Sequence, residues 1–203
     1  MKPKPGTAWM NLGLLLLASA LFLAAYNRNA SYQAQHQSQV VMEEMSATIP
    51  GKGGPEETQP ERTEFLRPGR EMPVRVIDGR DYVGVLTIPC LNLELPVLSQ
   101  WSDSNLRIAP CRYQGSVYDG SLILCAHNYS SHFGALKNLR EEDAVLFADM
   151  EDNVYTFKVV ELEILNSADI ADMESGDWDL TLFTCTVGGQ TRVTVRLALT
   201  EMI

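Results

Sequence analysis

The chain opens on an almost uninterrupted apolar run, Ala8 to Tyr26, broken only by Asn11, Gly13 and Ser19. About 20 apolar residues suffice to cross a bilayer as a helix. Trp9 and Tyr26 stand near its two ends, where amphipathic aromatics favour the headgroup region. Lys2 and Lys4 precede the run and only Arg28 follows it closely. The positive-inside tendency then places residues 1–7 in the cytoplasm, a span at 8–26, and everything after it outside. Ala18-Ser19-Ala20 resembles a signal-peptide cleavage site, but cleavage there needs a shorter apolar core. An uncleaved N-terminal anchor is the better account.

The pattern then changes. Residues 27–73 are rich in Gln, Ser, Glu, Pro and Gly, with Pro50, Gly51, Gly53, Gly54, Pro55 and Pro60 close together. Such a composition buries too little apolar surface to offset its ordering entropy. It reads as a flexible extracytoplasmic stalk, with a short helix from Tyr32 to Met45.

From residue 74 to 203 the pattern is mostly β. Strands are expected at Tyr82–Ile88, Leu91–Leu98, Ser121–Ala126, Ala144–Phe147, Val154–Val160, Leu162–Leu165, Leu180–Cys185 and Arg192–Leu199. Phe133, Leu136 and Leu139 recur at the spacing of a short helix. Eight short strands with few helices predict a closed or nearly closed eight-stranded β-barrel with short helices, behind an N-terminal transmembrane helix.

Charge narrows the partners. From Arg75 onward there are 9 Lys and Arg against 19 Asp and Glu, so the whole net charge of −10 sits on this domain. Such a surface argues against nucleic acid as a partner. The acidic groups Glu141-Glu142-Asp143 and Asp149-Glu151-Asp152 have no calcium-loop spacing and read as solvated turns. No metal or other cofactor is expected.

The candidate chemistry lies at strand ends. Thr181-Leu182-Phe183-Thr184-Cys185 ends a strand on a thiol, Gly188-Gly189 turns the chain, and Arg192 opens the next strand. Leu124-Cys125-Ala126-His127-Asn128 ends another strand on an imidazole. A thiolate attacks carbonyl carbon, an imidazole moves the protons, and a guanidinium offers fixed donors to an oxyanion. Taken singly, each has an ordinary structural explanation: a buried thiol, a loop histidine, a solvated strand arginine of the kind expected at Arg196. His132 is the rival base, less rigidly held than a strand-end residue, and His36 sits in the stalk.

Together these residues resemble the sortases, the membrane-anchored cysteine transpeptidases of Gram-positive bacteria. Residues 181–185 match the family's TLxTC motif, Arg192 its strand-opening arginine, and 124–128 its histidine segment. Ala126 departs from the glycine that many members carry before the histidine. The resemblance implies catalysis by Cys185 as nucleophile, His127 as general acid and base, and Arg192 as substrate or oxyanion clamp. Thr184 and Cys125 are expected to touch substrate. The implied partners are secreted proteins with C-terminal LPxTG-type sorting signals, and an amine of peptidoglycan or of another protein as acceptor. The chain ends soon after its last strand, which argues against the pilus-polymerising subclass, and the 128–139 segment leans to class B or class D. The rivals are a thiol hydrolase on the same scaffold and a non-catalytic surface-binding domain.

Four cysteines outside the cytoplasm also raise disulfides. Cys90 with Cys111 is one pairing the sequence allows. Cys125, two residues before His127, shares its face in an extended strand. It would line the groove near Cys185, where a small hydrophobe with no redox role is the better account and an oxidative Cys125–Cys185 bond that switches the thiol off is the alternative.

Overall fold

The computed structural model describes residues 5–48 and 66–203. Its first element is a single helix, α1 (Pro5–Thr48). Within it, Trp9–Met45 contains a stretch long and apolar enough to cross a membrane, none of it buried against the rest of the protein. The stalk expected from residue 27 is therefore helical as far as Thr48, while 49–65 lie outside the described residues. The cause is a stripe of Ala34, Ser38, Val41 and Met45, all buried, spaced four, three and four so that they share one helix face. Ser38 Oγ donates to the Ile108 carbonyl at 3.1 Å, and Ser131 Oγ donates to the Ser31 carbonyl at 3.1 Å. Two of the four stripe residues are Ala and Ser within a Gln-rich run, which hides the stripe in the sequence. Burying Val41 and Met45 contributes roughly 3–5 kcal/mol, enough to keep the helix on the barrel.

Among the described residues nine strands follow: β1 (Arg75–Ile77), β2 (Arg80–Ile88), β3 (Leu93–Leu98), β4 (Cys111–Gln114), β5 (Leu122–Cys125), β6 (Ala144–Asp149), β7 (Val154–Asn166), β8 (Leu180–Cys185) and β9 (Thr191–Met202). Eight of them form a ring in the order β2-β3-β4-β5-β8-β9-β7-β6, closed by pairing of β2 with β6. β1 is a hairpin partner of β2 beyond that closure. The eight-stranded closed barrel expected from the sequence is thus the architecture. Two short helices, α2 (Asp103–Leu106) and α3 (Ile170–Glu174), lie in connections, and Phe133–Asn138 forms a 3-10 turn where a short helix was expected.

Three strand assignments differ, β1 being absent from the expected strands. β4 has no alternating apolar signature over its four residues and escapes a pattern search. β7 is one strand rather than two. Val159 pairs with Leu197 and Glu161 with Arg196, so Val160 is an extra residue at a bulge. A bulge interrupts the two-residue period, and the sequence pattern breaks there although the strand does not.

Residues on one face of the sheet fill the barrel, among them Leu86, Ile88, Leu124, Tyr155, Phe157, Leu182 and Val195. A second cluster lies on the outer face: Tyr82, Leu98, Cys111, Ile123, Cys125 and Phe183, covered in part by Val41 and Met45 of α1. Arg196, expected to be solvated, is buried in this wall. Its guanidinium donates to Glu163 (2.8 Å), to the Asp172 and Met173 carbonyls (2.6 and 2.7 Å) and to Thr181 Oγ1 (3.2 Å). It pins α3 to β8 and β9.

The seam between β2 and β6 begins at Gly84, opposite Asp149. A Cβ there would lie 2.4 Å from the Ala148 carbonyl oxygen and 2.4 Å from Phe147 Cζ. Both belong to the partner strand or its core side chain, so neither yields easily. Gly84→Ala is expected to lower stability by about 1–3 kcal/mol. Urea unfolding measures this, and an unchanged midpoint would show that the seam tolerates the methyl group.

Candidate active site

β5 and β8 run parallel, with Leu122 beside Leu180 and Cys125 beside Phe183. Alternation sends Leu122, Leu124 and Ala126 into the barrel, and Ile123, Cys125 and then His127 outward. On β8, Leu180 and Leu182 point in, and Thr181, Phe183 and Cys185 point out. Past the last paired residues the two strands are still tied. The Ala126 N–H donates to the Phe183 carbonyl at 3.3 Å, and Thr184 Oγ1 donates to the Ala126 carbonyl at 2.8 Å. His127 and Cys185, the next residue on each strand, therefore leave the sheet side by side. Across the antiparallel β8–β9 pair, Cys185 is directly opposite Arg192, and directly opposed residues project to the same face. The three residues singled out from the sequence thus lie at neighbouring strand positions on one outer face.

Thr184, expected to contact substrate, is buried. Its hydroxyl holds the backbone that carries His127. Cys125 is also buried beneath the groove, with Sγ directed at the Cys111 carbonyl at 3.6 Å. All four cysteines are free, and neither the Cys90–Cys111 nor the Cys125–Cys185 bond is formed. Burial pushes the Cys111 thiol up to about 12 and raises that of Cys125 further, so both stay protonated and unreactive at neutral pH. Cys185 is exposed.

The Arg192 guanidinium lies over the Phe183 ring, 5.6 Å from its centroid. Its Nε and Nη1 are buried and have no hydrogen-bond partner among the described residues. An unmet buried donor costs about 1–3 kcal/mol, so these N–H groups favour an incoming acceptor. Beyond Phe183 the rings continue: Tyr113 meets it edge-on at 5.3 Å, and Trp101 stacks on Tyr113 at 6.0 Å.

His127 is half-buried. Burial lowers its pKa below 6.5, the Arg107 charge adds to this, and Asp103 opposes it, so the imidazole is neutral at pH 7. Its ring packs on Tyr129 at 4.8 Å, and Tyr129 on His132 at 5.5 Å. His127 opens into a cleft of about 450 Å³ whose other walls are Asp103, Arg107 and Ile108, and Tyr26, Asn27, Ala30, Gln33 and Gln37 of α1. The contribution of α1 is not legible in its composition. His36 lies in a separate cleft beside Asp78 and Arg80.

A family profile for the sortase domain matches residues 86–200. The chain belongs to the sortase family. The fold of this sortase is similar to that of sortase C-3 from Streptococcus pneumoniae (18% identity, TM-score 0.56, covering 91% of this chain and 89% of that one). It is similar to Listeria monocytogenes sortase A (20%, 0.53, 60% and 88%) and to a Clostridium perfringens sortase D5 transpeptidase (16%, 0.53, 63% and 83%). Near-equal scores across three classes leave the subclass open. No curated protein sequence matches the chain. Sortases are cysteine transpeptidases, acting on proteins with sorting signals and on amine acceptors. The acidic turn at residues 149–153 is internally satisfied: the Asp149 carboxylate accepts from Tyr118 Oη, Asn153 Nδ2 and the Glu151 and Asn153 N–H groups.

His132, the rival base, is fully buried, and neither ring nitrogen has a well-formed hydrogen bond. Burial, with the His127 charge adding, pushes it down to about 4, opposed slightly by the Ile108 backbone. The unfolded chain keeps the ordinary value near 6.5 and so holds more protons between these limits. Stability from this residue is therefore expected to fall as pH drops from about 6.5 to about 4, by roughly 3 kcal/mol. Urea unfolding of the wild type and of His132→Leu across that range checks this. The same slope in both proteins would exclude His132 as its source.

Proposed function

We propose that this sortase is held in the membrane by α1 with its barrel on the outer face, cleaves an LPxTG-type sorting signal, and transfers the released acyl group to an amine of peptidoglycan or of another protein. The placement of Lys2 and Lys4 before the span supports that orientation. One observation carries the chemistry: Cys185 stands opposite Arg192 across β8–β9, with His127 beside it through the double tether at Ala126.

The Cys185 thiol passes its proton to the neutral His127 imidazole as sulfur attacks the scissile carbonyl carbon. The oxygen that gains negative charge accepts from Arg192, whose buried Nε and Nη1 have no other partner among the described residues. The imidazolium then protonates the departing amine and the C–N bond breaks, leaving a thioester. An incoming amine gives its proton to His127, attacks the thioester and restores the thiol. The atoms balance with no metal ion. Thr184 serves as a positioning residue for His127.

Fluorescent-peptide turnover with and without an added amine tests this. Cys185→Ala is expected to abolish turnover. His127→Ala is expected to lose about 10²–10⁴-fold. Arg192→Lys, which keeps the charge but loses the planar fork, is expected to lose about 10²–10³-fold. Amine is expected to replace water as acceptor and yield the coupled product. Hydrolysis that no amine alters would replace transfer by the thiol-hydrolase reaction, and full activity in Cys185→Ala would remove the nucleophile assignment.

A further inference from the structure

The helix that crosses the membrane is also the helix that walls the His127 cleft. α1 is continuous from Pro5 to Thr48, so the span and the buried stripe of Ala34, Ser38, Val41 and Met45 belong to one rigid rod. The direction of the rod along the barrel is fixed by its contacts. At its distal end, Val40 and Val41 share a cleft with Asp78, Arg80 and Tyr82. Ser38 bonds to Ile108 and Ser31 accepts from Ser131 further down. At the span's own end, Tyr26, Asn27 and Ala30 line the cleft of His127. Asn27 and Arg28 also line a second cleft, with Tyr129 and with Val187 and Gly188 of the β8–β9 turn. Tyr26 closes the apolar run and belongs at headgroup level. The rise from Tyr26 to Ala30 or Gln33 is only about 6–10 Å.

A second observation points the same way. Val187, two residues past Cys185, is 95% exposed at the tip of the β8–β9 turn. An apolar tip beside Arg28 suits a lipid headgroup layer, where the side chain meets acyl carbons and the guanidinium meets phosphate.

We propose that α1 is a rigid mast that presses the His127–Cys185 end of the barrel against the outer membrane surface, with Val187 in the headgroup layer. The height of the cleavable bond follows, resting on the sortase chemistry above: in a substrate anchored in the same bilayer the mast sets the spacer between scissile bond and span at about two or three extended residues, since each covers about 3.3–3.6 Å. A flexible stalk would reach any bond over a wide range of heights, and this rod does not.

Depth measurement tests the mast without using the chemistry. The full chain, carrying Cys90→Ser and Cys185→Ala so that the remaining cysteines are buried, receives a fluorophore at Val187→Cys or, as the distal control, at Val76→Cys in the β1–β2 hairpin. Vesicles of phosphatidylglycerol and phosphatidylethanolamine contain a headgroup spin-labelled lipid as quencher. Quenching is expected to be at least threefold stronger at 187 than at 76, and Val41→Asp, which places a charge in the docked stripe, is expected to erase the difference. Equal quenching at both positions in the undisturbed chain would overturn the mast. A second arm inserts seven helical residues between Tyr26 and Asn27, raising the barrel by about 10 Å with nearly the same facing. The preferred spacer between cleavage site and span in membrane-anchored substrates is expected to lengthen by about three residues. An unmoved optimum would count against the mast, whereas loss of free-peptide turnover in the wild type would instead count against the transpeptidase chemistry.

Discussion

The site depends on the double tether at Ala126. Its N–H reaches the Phe183 carbonyl and its carbonyl accepts from Thr184 Oγ1, so β5 and β8 remain paired one residue beyond their ladder. His127 and Cys185 are 58 positions apart in the chain; the tether makes them neighbours with almost no freedom to slide. A one-residue slip of β5 would turn His127 toward the barrel and bring Asn128 or Ala126 to the groove. The parallel pairing is therefore the constraint that the imidazole, the thiol and, through β9, the guanidinium all share.

The outer face of the barrel is unusual for a sheet surface because it is largely covered. Cys111, Ile123, Cys125 and Phe183 form an apolar floor, Arg196 secures α3 at one side, and α1 closes the other. This covering has an electrostatic effect. It strips water from Arg192, leaving two of its donors unmet, and from His127, lowering its affinity for a proton. Both effects favour a bound peptide over solvent. On the chemistry proposed above, the groove is prepared for charge that appears on a substrate oxygen and for a proton that has to move.

Much of this was legible along the chain. The apolar run, the strand alternation, and the motif residues Cys185, His127 and Arg192 are local signals, and barrel, apolar helix and family all follow from them. The misses have physical causes. β7 carries a bulge that resets its period at Val160. The stripe on α1 is made partly of Ala and Ser, which hydropathy does not distinguish from a polar linker. Arg196 resembles any solvated strand arginine until Asp172, Met173 and Glu163 close around it. Thr184 belongs to a chemical motif, yet its hydroxyl is occupied by backbone.

By itself, then, the sequence determined which groups are candidates for the chemistry and which segment is apolar enough to cross a membrane, because side-chain type and hydrophobic period are written locally. Only the tertiary structure decided that His127 and Cys185 end neighbouring strands, that Cys125 and His132 are buried, and that α1 is a wall of the cleft. Those outcomes depend on strand register and on which small residues are buried, and both arise from pairings between distant parts of the chain that no local pattern records.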